Sequence, residues 1–443
     1  MKTAWWVRLA VAVALACRLG AAGAEDLLEV VAQARAADPL RAGADAQRGA
    51  QREAAAQARA ALLPQWQLSA AGTRAQQQGG ASRQVDSSLT QVLVDVNRQR
   101  TWGAERTLTT AQDARVRAAE QDLVARVARA YFGVLSALAT QATAQANEDA
   151  FAAQVAQAQQ RFDAGLSAQI DVEQGRAYHA LARGTTVQAR QALADARQAL
   201  AQITGRMPGP LQALAADLPE LPLQPAEPQA WVDRALQSNP ALQAQALALE
   251  ASQQRIEAAR AAHWPTLSAG LDTQHRDGAG VPDSERGHPI TQVALRLAVP
   301  LFTGGAIDSQ VRQAAYQRDA AREDVLAVRR ALVRETQAQH EAVVSGLALM
   351  QSTRAAVAAA DRALAATRTG QALGTRSNTD LLLAIQTQAA AQNAHQQARH
   401  AYMLAWLLLQ ATGGLGEAEL ATVNRLLVAP AGAAQSTLTQ GAS

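Results

Sequence analysis

The chain states one unit twice, and that duplication limits what it can fold into more than any other feature. Asp38-Pro39 opens a helical run that closes at Ala58-Arg59-Ala60-Ala61-Leu62-Leu63-Pro64. Asn239-Pro240 opens another, closing at Ala259-Arg260-Ala261-Ala262-His263-Trp264-Pro265. From proline to proline the spacing is 25 residues in both, at an offset of 201. The two halves also end alike, since Gln202-Ile203-Thr204-Gly205 answers Gln410-Ala411-Thr412-Gly413 at an offset of 208. Between these anchors each half carries one hairpin and one pair of long helices.

The hairpins follow the closing prolines. Trp66, Leu68 and Ala70 alternate with Gln65, Gln67 and Ser69; Leu267, Ala269 and Leu271 alternate with Thr266, Ser268 and Gly270. The second return strand is the clearest: Val293, Leu295, Leu297 and Val299 share a face opposite Gln292, Ala294, Arg296 and Ala298. The first return strand, about Ser88 to Val94, is less regular. Polar segments, Gln76 to Ser82 and Arg276 to Gly287, read as exposed loops. Strict alternation means one apolar and one polar surface. A sheet laid on a soluble core and a membrane strand with its apolar side in lipid give the same pattern. Two features favour the membrane. Trp66, Trp264 and Phe302 cluster where helix meets strand, as an interface girdle requires, and the helices are too long to wrap a small sheet. Four strands cannot close, because an open edge in lipid leaves backbone groups unsatisfied and the smallest membrane barrels have about eight strands. Several chains must then share one barrel; three would give twelve strands.

The helical pattern runs from about Arg100 to Phe162, with Leu123, Val127, Tyr131, Val134 and Leu138 on one stripe, and again from about Ala306 to Arg368. Some 60 residues make a rod near 90 Å at about 1.5 Å per residue. Each rod turns back at a glycine, Gly165 and Gly374, followed six residues later by Asp171 and Asp380; both offsets are 209. The glycines supply the positive φ a helix end needs. Return helices are expected over about 168–204 and 377–412. Met207 to Pro228 holds six of the fourteen prolines and reads as a linker.

Residues 1–24 read as a secretory signal peptide, with Lys2 and Arg8 before an apolar run and Ala22-Gly23-Ala24 as the cleavage site. Lipidation at Cys17 is the rival, but Ala14 stands where a lipobox prefers a larger aliphatic. Of 41 basic residues three lie in this leader, leaving 38 against 38 acidic ones. A mature chain without net charge gives no ground for nucleic-acid binding. Cys17 is the only cysteine, so disulfides and thiolate metal sites are excluded from the mature chain. The histidines are scattered, no phosphate loop or nucleophile constellation is present, and neither a cofactor nor an enzymatic activity is expected. No stretch after the leader approaches the ~18 apolar residues of a membrane helix.

These pieces resemble the TolC outer-membrane efflux family over nearly the whole mature chain. The resemblance is carried by Ala24 to Val30 leading to Asp38-Pro39, by Val299-Pro300-Leu301-Phe302-Thr303-Gly304-Gly305, by Leu89 to Asp95 as a weaker counterpart, by Ala130-Tyr131-Phe132, and above all by the two tips. It implies an α+β membrane protein: a homotrimer whose chains each give four strands to a shared 12-stranded β-barrel in outer-membrane lipid, continuous with a periplasmic coiled-coil tunnel. It further implies an exit duct for protein secretion or drug efflux, with a periplasmic adaptor and an inner-membrane transporter of ABC, RND or MFS type as partners. The units are then the signal peptide 1–24, a first repeat 25–205, a linker 206–228, a second repeat 229–427 and a flexible tail 428–443. By position in the family pattern, Arg376 and Asp171 form polar links that hold the tips shut, and Asp380 lines the narrowest ring. A second ring aspartate is Leu383 here, and a closing tyrosine is Gln371. Helix capping is the competing role for both aspartates. Arg296 is expected on the lumen side. The alternative architecture is a soluble periplasmic scaffold or adaptor.

Overall fold

A computed structural model describes residues 24–75, 80–278, 281–282, 284, 286–414 and 417–428. The leader up to Gly23, Cys17 with it, the tail beyond Val428 and parts of both joining loops lie outside the described residues. The element order is α1 (Leu27–Ala37), α2 (Pro39–Ala60), β1 (Gln65–Ala75), β2 (Gly80–Val94), α3 (Val96–Asp163), α4 (Gln169–Thr204), β3 (Ala213–Leu214) and α5 (Pro228–Ser238). It continues with α6 (Pro240–Ala261), β4 (Thr266–Gly278), β5 (Pro289–Ala298), α7 (Ala306–Ala372), α8 (Asn378–Thr412), α9 (Glu417–Asn424) and β6 (Leu427–Val428). The succession of two helices, two strands and two helices therefore occurs twice.

The chain divides into two compact units, each drawing on both halves of the sequence. Among the described residues, one comprises 24–39, 120–237 and 332–428. Its core joins Leu27 and Val31 of α1, Leu123, Val127 and Tyr131 of α3, Leu200 of α4, Trp231 of α5, and Met403, Leu407 and Leu409 of α8. The proline-rich linker packs into this core through Leu211 and Leu214. There β3 pairs antiparallel with β6, setting Ala213 opposite Val428. Tyr131 is fully buried, and its hydroxyl donates to the carbonyls of Glu25 at 3.2 Å and Gln212 at 2.8 Å. Asp38, also buried, accepts both terminal guanidinium nitrogens of Arg126 at 3.0 and 2.9 Å. A buried carboxylate is tolerated only when so paired. Apolar Val134, Leu138, Leu211 and Leu214 line a hollow of about 650 Å³, with His400 and Arg197 on its wall.

The other unit comprises Leu40–Ala119 and Ser238–Ala331. Its buried helix positions are mostly alanines: Ala104, Ala111 and Ala114 on α3, and Ala244, Ala251 and Ala258 on α6. The seven-residue spacing is that of a coiled-coil seam, and the small side chains let backbones approach closely. Polar bonds line the seam, including Arg255 to Glu105 at 3.0 Å and Thr107 to Gln254 at 3.0 Å. The unit also holds one four-stranded antiparallel sheet in the order β1-β2-β4-β5.

Two expectations change. β2 starts at Gly80 rather than near Ser88. And α3 and α7 each contain a stretch that, by length and composition alone, is apolar enough to cross a membrane. Alanine produces it: it scores as apolar yet adds little bulk, so counting large side chains overlooks it. Both helices, at 68 and 67 residues, far exceed the ~20 residues a bilayer requires.

Candidate functional site: the helix tips and the exposed sheet face

The tips are built by two matching helix ends. After α3, the amide of Leu166 donates to the carbonyl of Arg161 at 2.7 Å and that of Gly165 to Phe162 at 2.9 Å. After α7, Thr375 donates to Gly370 at 2.8 Å and Gly374 to Gln371 at 3.1 Å. This nested pair of bonds satisfies the last helical carbonyls and requires a left-handed residue. Gly165 and Gly374 both have φ of 75°.

The next helices start differently. At α8 a reciprocal capping box forms. The Ser377 hydroxyl accepts from the Asp380 amide at 3.1 Å, and the Asp380 carboxylate accepts from the Ser377 amide at 3.0 Å. The backbone bond from Ser377, more than its hydroxyl or the nearby Arg376, holds the Asp380 carboxyl below its ordinary pKa. At α4 the N-cap is Ala168, without a side-chain bond. Asp171 therefore does not cap; its backbone carbonyl instead accepts the Asn378 side-chain amide at 3.3 Å. The two tips are further tied by Thr379 to Gln174 at 2.8 Å, and within the second tip Gln371 donates to Asn378 at 3.2 Å.

Asp171 and Arg376 line one hollow of about 310 Å³, shared with Arg161 and Gln157. They form no ion pair with each other among the described residues. Gly370 gives Arg376 its place: a Cβ there would lie 2.7 Å from Arg376 Cγ. Leu383, one turn beyond Asp380, is 56% exposed, while its neighbours Leu381 and Leu382 are buried.

The sheet has two distinct faces. Register aligns Trp66, Leu89, Leu271 and Val293 across all four strands, with Leu267–Leu297 and Ala269–Leu295 below them on β4 and β5. Among the described residues no core covers this face: Trp66 is 77% exposed and Val293 83%. Hydroxyls on it find partners beside them. Trp66 Nε1 donates to the Ser87 hydroxyl at 2.9 Å, and Thr273 pairs with Thr291 at 3.2 Å. The opposite face carries Gln67, Ser88, Asp272 and Gln292 in one row, and Arg296 beside Ser268. Trp264 and Phe302, the other sequence-predicted girdle residues, are exposed at the helix-side ends of β4 and β5.

The family model for outer membrane efflux proteins matches residues 13–206 and again 231–414. The chain belongs to the outer membrane efflux protein family. Outer membrane protein TolC of Vibrio cholerae is 31% identical over 430 residues, which is 94% of this chain and 97% of that protein. The alkaline protease secretion protein AprF of Pseudomonas aeruginosa is 30% identical over 319 residues, 70% of this chain and 65% of that one. Among solved structures, the CmeC outer membrane channel of Campylobacter jejuni shares the fold, with a TM-score of 0.78 at 16% identity over 91% of this chain and 89% of that one. In this efflux protein the tip residues missed by sequence reasoning are Gln174, Asn378 and Thr379. The last two lie between Gly374 and Asp380, but nothing in their local pattern names a partner about 200 residues away.

Proposed function

We propose that the chain is one subunit of a trimeric exit duct in the outer membrane, conducting cargo passively from the periplasm to the exterior. One observation carries the reading: the alternating face of the sheet is apolar and, among the described residues, covered by no core, with Trp66, Leu68, Val293, Leu295 and Leu297 all exposed. In water such a face is an aggregation liability; in lipid it is the required surface. A soluble scaffold or adaptor would leave it wet. Four strands in lipid demand sister chains, and three copies close twelve strands. The mature chain then runs as repeats 25–205 and 229–427 about the linker 206–228, after a signal peptide at 1–24.

The helix tips form the periplasmic gate. Asp171 and Arg376 face one hollow, ready to link across it or between subunits, and Asp380 places a ring of carboxylates about the axis that favours cations. Arg296 lines the lumen, and Trp66, Trp264 and Phe302 mark the inner interface. A periplasmic adaptor and an inner-membrane transporter, of ABC, RND or MFS type, complete the assembly. The names of TolC and of the protease-secretion relative support a secretion or efflux duct, and the chain catalyses nothing. Light scattering of the detergent-purified, processed chain tests the reading: a trimer that conducts ions in planar bilayers is expected, and a water-soluble monomer overturns it.

A further inference from the structure

The apolar face of the sheet ends in arginine. Along β1 it carries Trp66, Leu68 and Ala70, then Gly72 and Arg74. Along β2, read back from Leu89, it carries Ser87, Val85 and Arg83. The register sets Arg83 opposite Gly72 and Arg74 opposite Ala81. The two arginines are thus diagonal neighbours, with Cα atoms on the order of 7–8 Å apart. Their partners across the β1–β2 pair, Gly72 and Ala81, are too small to cover either one, and both arginines are exposed. Neither has an ion-pair partner among the described residues. On β4 Asp277 lies in register with Arg83 but does not pair with it, so the positive charge is in excess.

Depth gives this patch its meaning. Trp66 to Arg74 spans eight residues, about 26 Å along a strand. A strand tilted as in membrane barrels climbs roughly 20 Å over that length, and an arginine stem carries its head several ångströms further. The outward apolar band of such barrels is about 25 Å tall. The guanidinium groups therefore emerge on the outside of the wall, at the headgroup level of the leaflet remote from the helices. Two guanidiniums at this spacing suit a phosphate, which arginine grips through paired N–H donors.

We propose that Arg74 and Arg83 form a binding site for the phosphorylated headgroup of an outer-leaflet glycolipid, one site per subunit. The proposal rests on the reading of the sheet as a membrane wall. The test uses full-length trimer, delipidated in detergent and reconstituted into vesicles of phosphatidylcholine with a minor fraction of bisphosphorylated lipid A. Lipid retained through re-purification is measured by native mass spectrometry. Wild type should retain lipid A over phosphatidylcholine, and R74Q/R83Q should lose about thirtyfold in that preference, at about fivefold per arginine. The lumen-side variant R296Q controls for charge and should bind as wild type. If R74Q/R83Q forms trimer and binds lipid A as wild type does, or if R296Q weakens binding equally, the site is refuted while the membrane reading stands. Wild type that fails to insert refutes both.

Discussion

At the scale of single residues, the informative groups are those whose ionisation depends on burial or on a cap. His400 is buried against Phe132, its Nδ1 lies 3.0 Å from the Ser136 hydroxyl, and Arg399 is its sequence neighbour. Desolvation first, and then the Arg399 charge, push its pKa down to about 4. Arg197, on the wall of the same hollow, is the other charge on that side. In the unfolded chain the ring titrates near 6.5. The unfolded state thus binds more protons between those values, so stability is complete above pH 6.5 and lost as pH falls towards 4. The loss approaches about 3 kcal/mol. Thermal melts of the detergent-purified protein should show it, and H400Q should flatten the slope between pH 6.5 and 4. An unchanged slope would mean that other groups carry the acid sensitivity. Asp380 is also shifted down, but there the shift preserves the charged form rather than the neutral one. Its lowered pKa keeps it charged further into acid, and the Ser377 hydroxyl contributes to that. In planar bilayers S377A should therefore lose cation preference at a higher pH than wild type. A midpoint that does not move would remove Asp380 from the pore.

At the scale of elements, the two tips show how backbone geometry and side-chain chemistry divide the task. Gly374 has open space around its Cα, so a Cβ there meets no atom within 4 Å. Any cost of substitution is then conformational, from forcing an L-residue into the left-handed region. G374A should destabilise the second tip by about 1 kcal/mol, and G374N by less, because asparagine tolerates that conformation. Hydrogen exchange at residues 370–380 would read this as faster opening; equal protection in G374A and wild type would count against a conformational cost. The glycines and prolines that punctuate the chain made its helices legible: expected ends at 162, 204 and 412 fall within a residue of those of α3, α4 and α8. β2 was harder to read because its apolar face contains Arg83 and Ser87, which blur the period of two until Leu89. At the site, the capping box is written locally as Ser377-Asn378-Thr379-Asp380, whereas the separation of Asp171 from Arg376 depends on side chains of helices distant in sequence. No periodicity encodes such a separation. The deep pairing of Asp38 with Arg126 was hidden for the same reason.

At the scale of the whole molecule, function turns on which surface meets lipid, and neighbouring residues of one strand can decide it. Leu295 and Ala294 are adjacent on β5 and point to opposite faces. Leu295 is 69% exposed opposite Ala269, and Ala294 lies opposite Gly270 on the polar face. If the apolar face lies in hydrocarbon, L295R places a guanidinium among acyl chains at a cost of about 2–4 kcal/mol per subunit near the midplane. A trimer meets that cost three times. A294R places the same group in a wet lumen beside small residues, where it should alter conductance rather than assembly. Expressed in an outer membrane, A294R should be recovered as trimer at close to wild-type yield, and L295R should be depleted and degraded. The comparison holds strand and net charge constant, so the direction of the side chain is what differs. Were the sheet instead packed on a soluble partner through its apolar face, L295R would still disrupt that packing. It would do so without any dependence on lipid, so refolding into vesicles of different acyl-chain length separates the two cases. In lipid the penalty should grow as the bilayer thickens and the introduced guanidinium can no longer reach an interface, which a protein partner cannot reproduce.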